Sequence, residues 1–162
     1  MAGNVKPIPE GFQAVTPYLI VNDGAAAIDF YKRAFGATET LRMPGPDGRL
    51  GHAEIRIGDS VIMLADEYPN MGARSAKSLG GSPVSLMLYV EDVDAVAKQA
   101  VAAGAKETRP VEDKFYGDRS GSFQDPYGLE WHISTHVEDI SDEEMAKRAQ
   151  AAVEREAAAS GG

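Results

Sequence analysis

Short segments in which apolar and polar residues alternate recur along the chain, and such alternation is typical of half-buried β-strands. Two longer segments, 24–35 and 92–103, each follow an Asp that can cap a helix and precede a Gly that can end one, which predicts two helices. Strands are predicted near residues 15–21, 37–43, 51–58, 60–66, 84–90, 106–111, 119–125 and 129–134.

The pattern occurs twice, because residues 15–40 resemble residues 84–108. At a constant offset of 69 residues, the matched pairs include Val15 with Val84, Leu19 with Leu88, Val21 with Val90, and Asp23 with Asp92. The final strands, 60–64 and 129–133, are separated by the same offset. An internal repeat of this length indicates a duplicated βαβββ module, and therefore an α+β fold with two tandem modules.

The repeat also predicts the domain organisation. One domain is expected over residues 14–136, and a Gly-, Ser- and Pro-rich linker divides it. Module 1 covers about 14–66, the linker 67–83, and module 2 about 84–136. Residues 1–13 are expected to form an N-terminal arm and 137–162 a C-terminal tail. The tail opens with Ser141 and Glu144 at capping-box spacing, so it is predicted to be helical.

Charge and composition exclude several classes of function. The net charge of −9 and the pI of about 4.8 argue against binding of nucleic acid or of an anionic membrane surface. The chain has no cysteine, which excludes disulfides and thiolate ligands. It also lacks a continuous apolar run of about 18 residues, the length that would indicate a membrane span. We therefore expect a soluble cytoplasmic protein.

Each predicted strand has an apolar face and a mixed face. The apolar face, which includes Val84, Leu86, Leu88, Val90 and Trp131, is expected to pack against the helices. The residues expected on the mixed face are Thr16, Tyr18, His52, Glu54, Arg56, Met63, Ser85, Met87, Tyr89, Glu130 and His132. This face is either an ordinary solvated surface or, if the sheet curls into a cup, the lining of a ligand site.

Several stretches of the sequence resemble a known family. The segments "VNDGAAAIDFYKRAFGA" and "DPYGLEWHI", together with the duplicated module, resemble the vicinal oxygen chelate superfamily over roughly residues 14–136. That superfamily includes glyoxalase I, bleomycin-resistance proteins and extradiol dioxygenases. The resemblance implies that each module contributes four strands to a curved mixed-sheet cup. It also implies that paired modules, often from two chains of a homodimer, complete the cavity.

The resemblance also identifies four positions at which metal-dependent members carry ligands, here Thr16, Met63, Ser85 and His132. Only His132 is a good ligand, because zinc, iron, manganese and nickel sites need about three nitrogen or oxygen donors from the protein. The family's standard metal centre is therefore expected to be absent, and no cofactor is predicted. The alternative is a divalent metal held by His52, Glu54 and His132.

Two functions of different classes follow from these residues. The leading hypothesis is a protein that binds a small molecule in the cup, contacting Thr16, Tyr18, Arg56, Met63, Ser85, Met87, Tyr89 and Glu130. The alternative is a lyase or isomerase acting on a small oxygenated metabolite, with Glu54, His52 and His132 as acid–base residues, with or without a metal. A third hypothesis is an interaction module whose tail helix, 141–158, contacts another protein.

Overall fold

A computed structural model describes residues 5–160, and the side chain of Ser160 is excluded. Residues 1–4 of the predicted arm and 161–162 of the predicted tail lie outside the described residues. Module 1 contains β1 (Tyr18–Val21), α1 (Gly24–Phe35), β2 (Thr38–Pro44), β3 (Leu50–Ile57) and β4 (Ser60–Asp66). A short helix, α2 (Ala76–Leu79), lies between the modules. Module 2 contains β5 (Ser85–Tyr89), α3 (Val93–Ala103), β6 (Lys106–Asp113), β7 (Asp118–Gln124) and β8 (Glu130–His136), and α4 (Asp142–Ser160) follows it.

The two modules have the same topology. Each forms its own four-stranded mixed sheet, in the order β1-β4-β3-β2 and β5-β8-β7-β6. The first and last strands of each module run parallel, and their register is preserved, since Tyr18 pairs with Met63 and Met87 pairs with His132. The predicted α+β fold of two βαβββ modules is therefore confirmed.

The helices begin and end where the sequence indicates. The carboxylate of Asp23 accepts a hydrogen bond from the backbone N–H of Ala26 at 3.0 Å, and Asp92 caps α3 in the same way. Gly36 ends α1 with a φ of 66°, in the left-handed region that glycine adopts without strain. The two helices therefore start from the same local interaction.

Both modules contribute to one hydrophobic core. The rings of Tyr31 and Phe35 in α1 lie 5.5 Å and 4.7 Å from the ring of Trp131 in β8, measured between centroids. The helices also contact each other, because the Gln99 amide donates to the carbonyl oxygen of Ala34 at 3.0 Å. Helix α1 thus packs against the sheet of module 2 as well as its own.

Asp125, the first residue of "DPYG", organises this contact between the modules. Its carboxylate is buried and accepts hydrogen bonds from the Tyr31 hydroxyl at 2.7 Å and the Trp131 indole N–H at 3.0 Å. It also accepts from the backbone N–H groups of Tyr127 and Leu129, each at 2.9 Å. Burial and the nearby carboxylate raise the pKa of Tyr31 well above its usual range, so Tyr31 stays a neutral donor.

The apolar-face prediction is correct for Trp131, which is buried, and wrong for Val84, which is 65% exposed. Val84 lies one residue before β5, so the strand does not fix its side chain against a helix. Strand β1 also begins later than predicted, at Tyr18, after Pro17, whose nitrogen carries no hydrogen to donate.

The segment between the modules is ordered by a carboxylate. Glu67 accepts hydrogen bonds from the backbone N–H of Ser75 and from the hydroxyl of Ser78, both at 2.9 Å. The side chain of Ser75 in turn caps α2. The predicted linker therefore contains a short helix that is tied back to the end of β4.

Helix α4 confirms the predicted helical tail and half of the predicted capping box. The Ser141 hydroxyl accepts from the backbone N–H of Glu144 at 3.3 Å. The Glu144 carboxylate, however, accepts from Arg148 at 2.9 Å, and Arg148 also forms two hydrogen bonds with Glu138. Among the described residues, no helix is both long and apolar enough to cross a membrane.

Candidate functional site

The mixed face of module 1 carries a hydrogen-bonded chain of three side chains. The Tyr18 hydroxyl lies 2.9 Å from Nδ1 of His52, and Nε2 of His52 lies 3.5 Å from the Glu54 carboxylate. Met63 lies beside them, because it pairs with Tyr18 in β1 and with Glu54 in β3. A carboxylate, an imidazole and a phenol are therefore adjacent on this face.

Two other residues predicted on this face contact the N-terminal arm instead. The Arg56 guanidinium donates to the carbonyl oxygens of Asp59 at 3.2 Å and Gly11 at 3.4 Å. The Thr16 hydroxyl donates to the carbonyl oxygen of Gln13 at 3.1 Å. In this structure both side chains therefore hold backbone of the arm and of the adjacent β3–β4 turn.

The mixed face of module 2 is built around His132. Nδ1 of its imidazole lies 2.8 Å from the Ser122 hydroxyl, and Nε2 lies 3.1 Å from the Ser85 hydroxyl. A neutral imidazole has one N–H and one lone pair, so one serine accepts and the other donates, depending on the tautomer. His132 is thus held in position by two uncharged groups.

Further hydroxyl groups lie along the same face. The Ser134 hydroxyl lies 2.6 Å from the Ser120 hydroxyl and 3.4 Å from the thioether sulfur of Met87. Glu130 accepts a hydrogen bond from Thr108 at 2.8 Å. Sequence reasoning missed the serines of β7, although the alternation in "DRSGSFQ" was the signal that could have found them.

One end of this face carries a second cluster, of which only Tyr89 was predicted. The buried carboxylate of Asp118 accepts from the Tyr89 hydroxyl at 2.8 Å and contacts Nδ1 of His136 at 2.8 Å. Nε2 of His136 lies 3.0 Å from Asp139. The hydrogen bond to Asp118 raises the pKa of Tyr89, and those to Asp118 and then Asp139 raise the pKa of His136, since the carboxylates favour the imidazolium.

The four positions that correspond to family metal ligands do not form a ligand set. Met63 offers a thioether, Thr16 and Ser85 offer hydroxyls already engaged by other groups, and only His132 offers a strong donor. Within one chain the alternative set is divided, because His52 and Glu54 lie on the sheet of module 1 and His132 on that of module 2. Within residues 5–160, no group of three or more His, Asp or Glu side chains is arranged to hold a metal ion.

Both mixed faces are open in the single chain. Tyr18, Met87 and Tyr89 are 49%, 50% and 59% exposed, which is high for such large side chains. A cavity of about 620 Å³ lies elsewhere, at the end of module 1 near Asn22 and Arg49, and no residue predicted for the site lines it. The residues predicted for the site therefore lie on the sheets and not in that cavity.

A family model supports the resemblance seen in the sequence. The model of the Glyoxalase/Bleomycin resistance protein/Dioxygenase superfamily matches residues 12–133. The chain belongs to this superfamily. The family assignment that the sequence indicated is therefore confirmed.

Relatives in sequence include uncharacterized proteins of bacteria and a plant. Mb0911c of Mycobacterium bovis is 45% identical over 148 residues, which cover 90% of this chain and 93% of that protein. At5g48480 of Arabidopsis thaliana is 32% identical over 124 residues, which cover 72% of this chain and 74% of the relative. These matches extend the family assignment without adding an activity.

Solved structures agree with the fold. TioX from Micromonospora sp. ML1 has a TM-score of 0.60 and 25% identity, covering 80% of this chain and 100% of TioX. Protein PA1353 from Pseudomonas aeruginosa has a TM-score of 0.61 at 23% identity, covering 76% of this chain and 98% of PA1353. The latter likeness concerns the fold alone.

Proposed function

We propose that this superfamily member binds a small organic molecule on the mixed faces of its sheets, without the metal centre of the metal-dependent members. One observation carries the proposal: half-exposed apolar side chains, Met87 and Tyr89, lie beside hydrogen-bonding groups fixed by their neighbours. Ligand sites commonly combine an apolar lining with a few placed polar groups. The ligand expected here is largely apolar or aromatic, with one or more hydrogen-bonding groups.

The chemistry of the inherited positions supports a role without metal. A divalent ion of the zinc or iron type would have to displace the Ser85 hydroxyl from His132 and accept a thioether or hydroxyls as further ligands. An organic hydroxyl or carbonyl group can instead replace the Ser85 hydroxyl at Nε2 of His132 at little cost. His132 is therefore the polar anchor of the proposed site.

We propose that the ligand is enclosed between two chains. The sheets of one chain are not hydrogen-bonded to each other, and each mixed face leaves large apolar side chains in solvent. A homodimer that apposes module 1 of one chain to module 2 of another would cover both faces. Sedimentation equilibrium tests this: twice the chain mass is expected, and a monomer at all concentrations would contradict the pairing.

Two histidines of β8 provide a matched test of the site itself. A thermal-shift screen with uncharged aromatic and heteroaromatic compounds should identify ligands, whose affinity is then measured by calorimetry. His132→Ala is expected to weaken binding roughly tenfold or more, the effect of losing a hydrogen bond to a buried polar group. His136→Ala, four residues away on the same strand, is the comparison: its imidazole reaches the site only through Asp118 and Tyr89, so it should weaken binding less than His132→Ala does.

A lyase or isomerase remains the second candidate, favoured by the Tyr18–His52–Glu54 chain. Among these three side chains, His52 contacts the Glu54 carboxylate, and a general base is often held by an orienting partner in this way. An enzyme would turn over a ligand found in the screen, and Glu54→Gln would abolish turnover while leaving binding intact. Unchanged ligand after long incubation with wild-type protein would argue against it.

A further inference from the structure

A separate cavity lies between the two modules. Its volume is about 220 Å³. Three residues of its floor, Val61 and Ile62 from module 1 and Trp131 from module 2, are 2%, 5% and 2% exposed. Leu86 and Leu88, which are half-buried on the edge strand β5, form one side. The cavity is therefore closed below by the core and bounded by an edge strand.

This cavity is on the other side of the module 2 sheet from His132. Leu86 pairs with Trp131, and Met87 pairs with His132, so the two pairs project from opposite faces. Two of the lining residues project from the mixed-face side of their sheets: Met87, and Val61, which pairs with Arg56. A molecule in the cavity would thus not reach the imidazole of His132.

The outer wall is formed by residues 13–17, which are the end of the N-terminal arm and the start of the domain. Gln13, Val15 and Pro17 line the cavity, and the Gln13 side chain holds the arm at two points. Its amide N–H donates to the carbonyl oxygen of Asp59 at 2.9 Å, and its amide oxygen accepts from the backbone N–H of Val61 at 3.4 Å. Residues 13–17 are consequently fixed over the opening by a small number of hydrogen bonds.

The lining determines which molecules the cavity can take. None of its side chains is ionisable, and most are aliphatic or aromatic. An ion would lose its hydration there without a compensating charge, whereas apolar cavities bind compact apolar molecules. We propose that this cavity is a second binding site, specific for a small uncharged apolar or aromatic molecule, with residues 13–17 as its outer wall.

Trp131 gives this proposal a direct measurement, because it is the only Trp of the chain and lies in the cavity wall. The probe is N-phenyl-1-naphthylamine, an uncharged apolar fluorophore that absorbs where Trp emits. The full-length protein is titrated with the probe while Trp131 is excited selectively. Saturable binding of one probe per chain, with energy transfer from Trp131, is the expected result.

Two substitutions of the same type separate the cavity from other apolar surfaces. Leu86→Phe fills the cavity and should lower the affinity for the probe roughly tenfold or more, within the range for steric changes in apolar pockets. Leu41→Phe, on the exposed edge strand β2, is the matched control and should leave the affinity unchanged. His132→Ala should also leave it unchanged, so failure of the proposed function and failure of this site are distinguishable.

A second pair of variants covers the case in which Leu86→Phe does not fold. Val15 and Val84 are equivalent residues of the repeat and are 86% and 65% exposed, but only Val15 lines the cavity. Val15→Glu should lower the affinity for the probe, and Val84→Glu should leave it unchanged. Non-saturable binding, absence of energy transfer, one probe per two chains, or equal affinity in Val15→Glu and Val84→Glu overturns the proposal.

Discussion

The two modules share a backbone but differ in the chemistry of their mixed faces. On module 1, His52 lies between a phenol and a carboxylate, whereas on module 2 His132 lies between two serine hydroxyls. The N-terminal helix caps, by contrast, are alike, since Asp23 and Asp92 each accept a hydrogen bond from the backbone N–H three residues later. The two modules thus share the interactions that start their helices, while the polar positions of their mixed faces differ.

The turns before the last strands differ as well. Module 1 has a two-residue turn, Gly58 and Asp59, in which Gly58 has a φ of 58°. Module 2 has a longer turn that begins at Asp125, whose carboxylate joins the modules. One turn is therefore local, and the other contributes to the shared core.

The largest effect is expected from Asp125→Ala, which removes the contacts that distinguish the turn of module 2. Tyr31 and Trp131 would each lose a buried acceptor, at about 1–3 kcal/mol per unsatisfied group, besides two backbone donors. The free energy of unfolding in urea should therefore fall by roughly 3 kcal/mol or more. Asp59→Ala, the same change in the exposed turn of module 1, should stay within about 0.5 kcal/mol of wild type. Equal effects would refute the role given to Asp125.

A smaller effect is expected from Met63→His, which gives module 1 the residue that module 2 carries at the equivalent position. The new imidazole would be adjacent to Glu54 and near His52, and together they provide three nitrogen or oxygen donors. Calorimetry should show nickel or zinc affinity rising about tenfold or more, or about 1.4 kcal/mol. Met71→His, in the exposed segment between the modules, is the control. No gain over that control would show that residues other than Met63 prevent metal binding.

The smallest effect concerns His136, at the end of the module 2 face. Neighbouring carboxylates raise the pKa of His136 in the folded chain. Protonated His136 therefore stabilises the fold fully below a pH of about 6.5, and this stabilisation is lost as the pH rises through the raised pKa. In an NMR titration of the imidazole resonances, Asp118→Asn should lower the pKa of His136 more than Asp139→Asn does. The reverse order would contradict the assignment of Asp118 as the dominant partner.

Most of the fold was predictable from the sequence, because its determinants are local or periodic. Asp23 and Asp92 cap helices through neighbouring backbone groups, and the repeat offset predicted that both modules have the same order of elements. The exposure of Val84 was not predictable, since strand alternation does not say where β5 begins. The contacts of Asp125 with Tyr31 were likewise hidden, because 94 residues separate the two.

The candidate site was only partly predictable for a similar reason. Alternation placed His52, Glu54 and His132 on the mixed faces, but it does not say which neighbour occupies each hydrogen bond. Arg56 was predicted to face a ligand, yet its guanidinium contacts backbone carbonyls of the arm and the β3–β4 turn. Such pairings depend on the arrangement of distant segments, which pattern alone does not give.

Native mass spectrometry of protein purified without chelator distinguishes an organic ligand from a bound metal. The measurement is made on wild type and His132→Ala, alone and with a compound from the thermal-shift screen. We expect no stoichiometric divalent metal in either protein, and one organic molecule per chain on wild type that is lost in His132→Ala. One divalent metal per chain on wild type, absent from His132→Ala, would contradict this expectation.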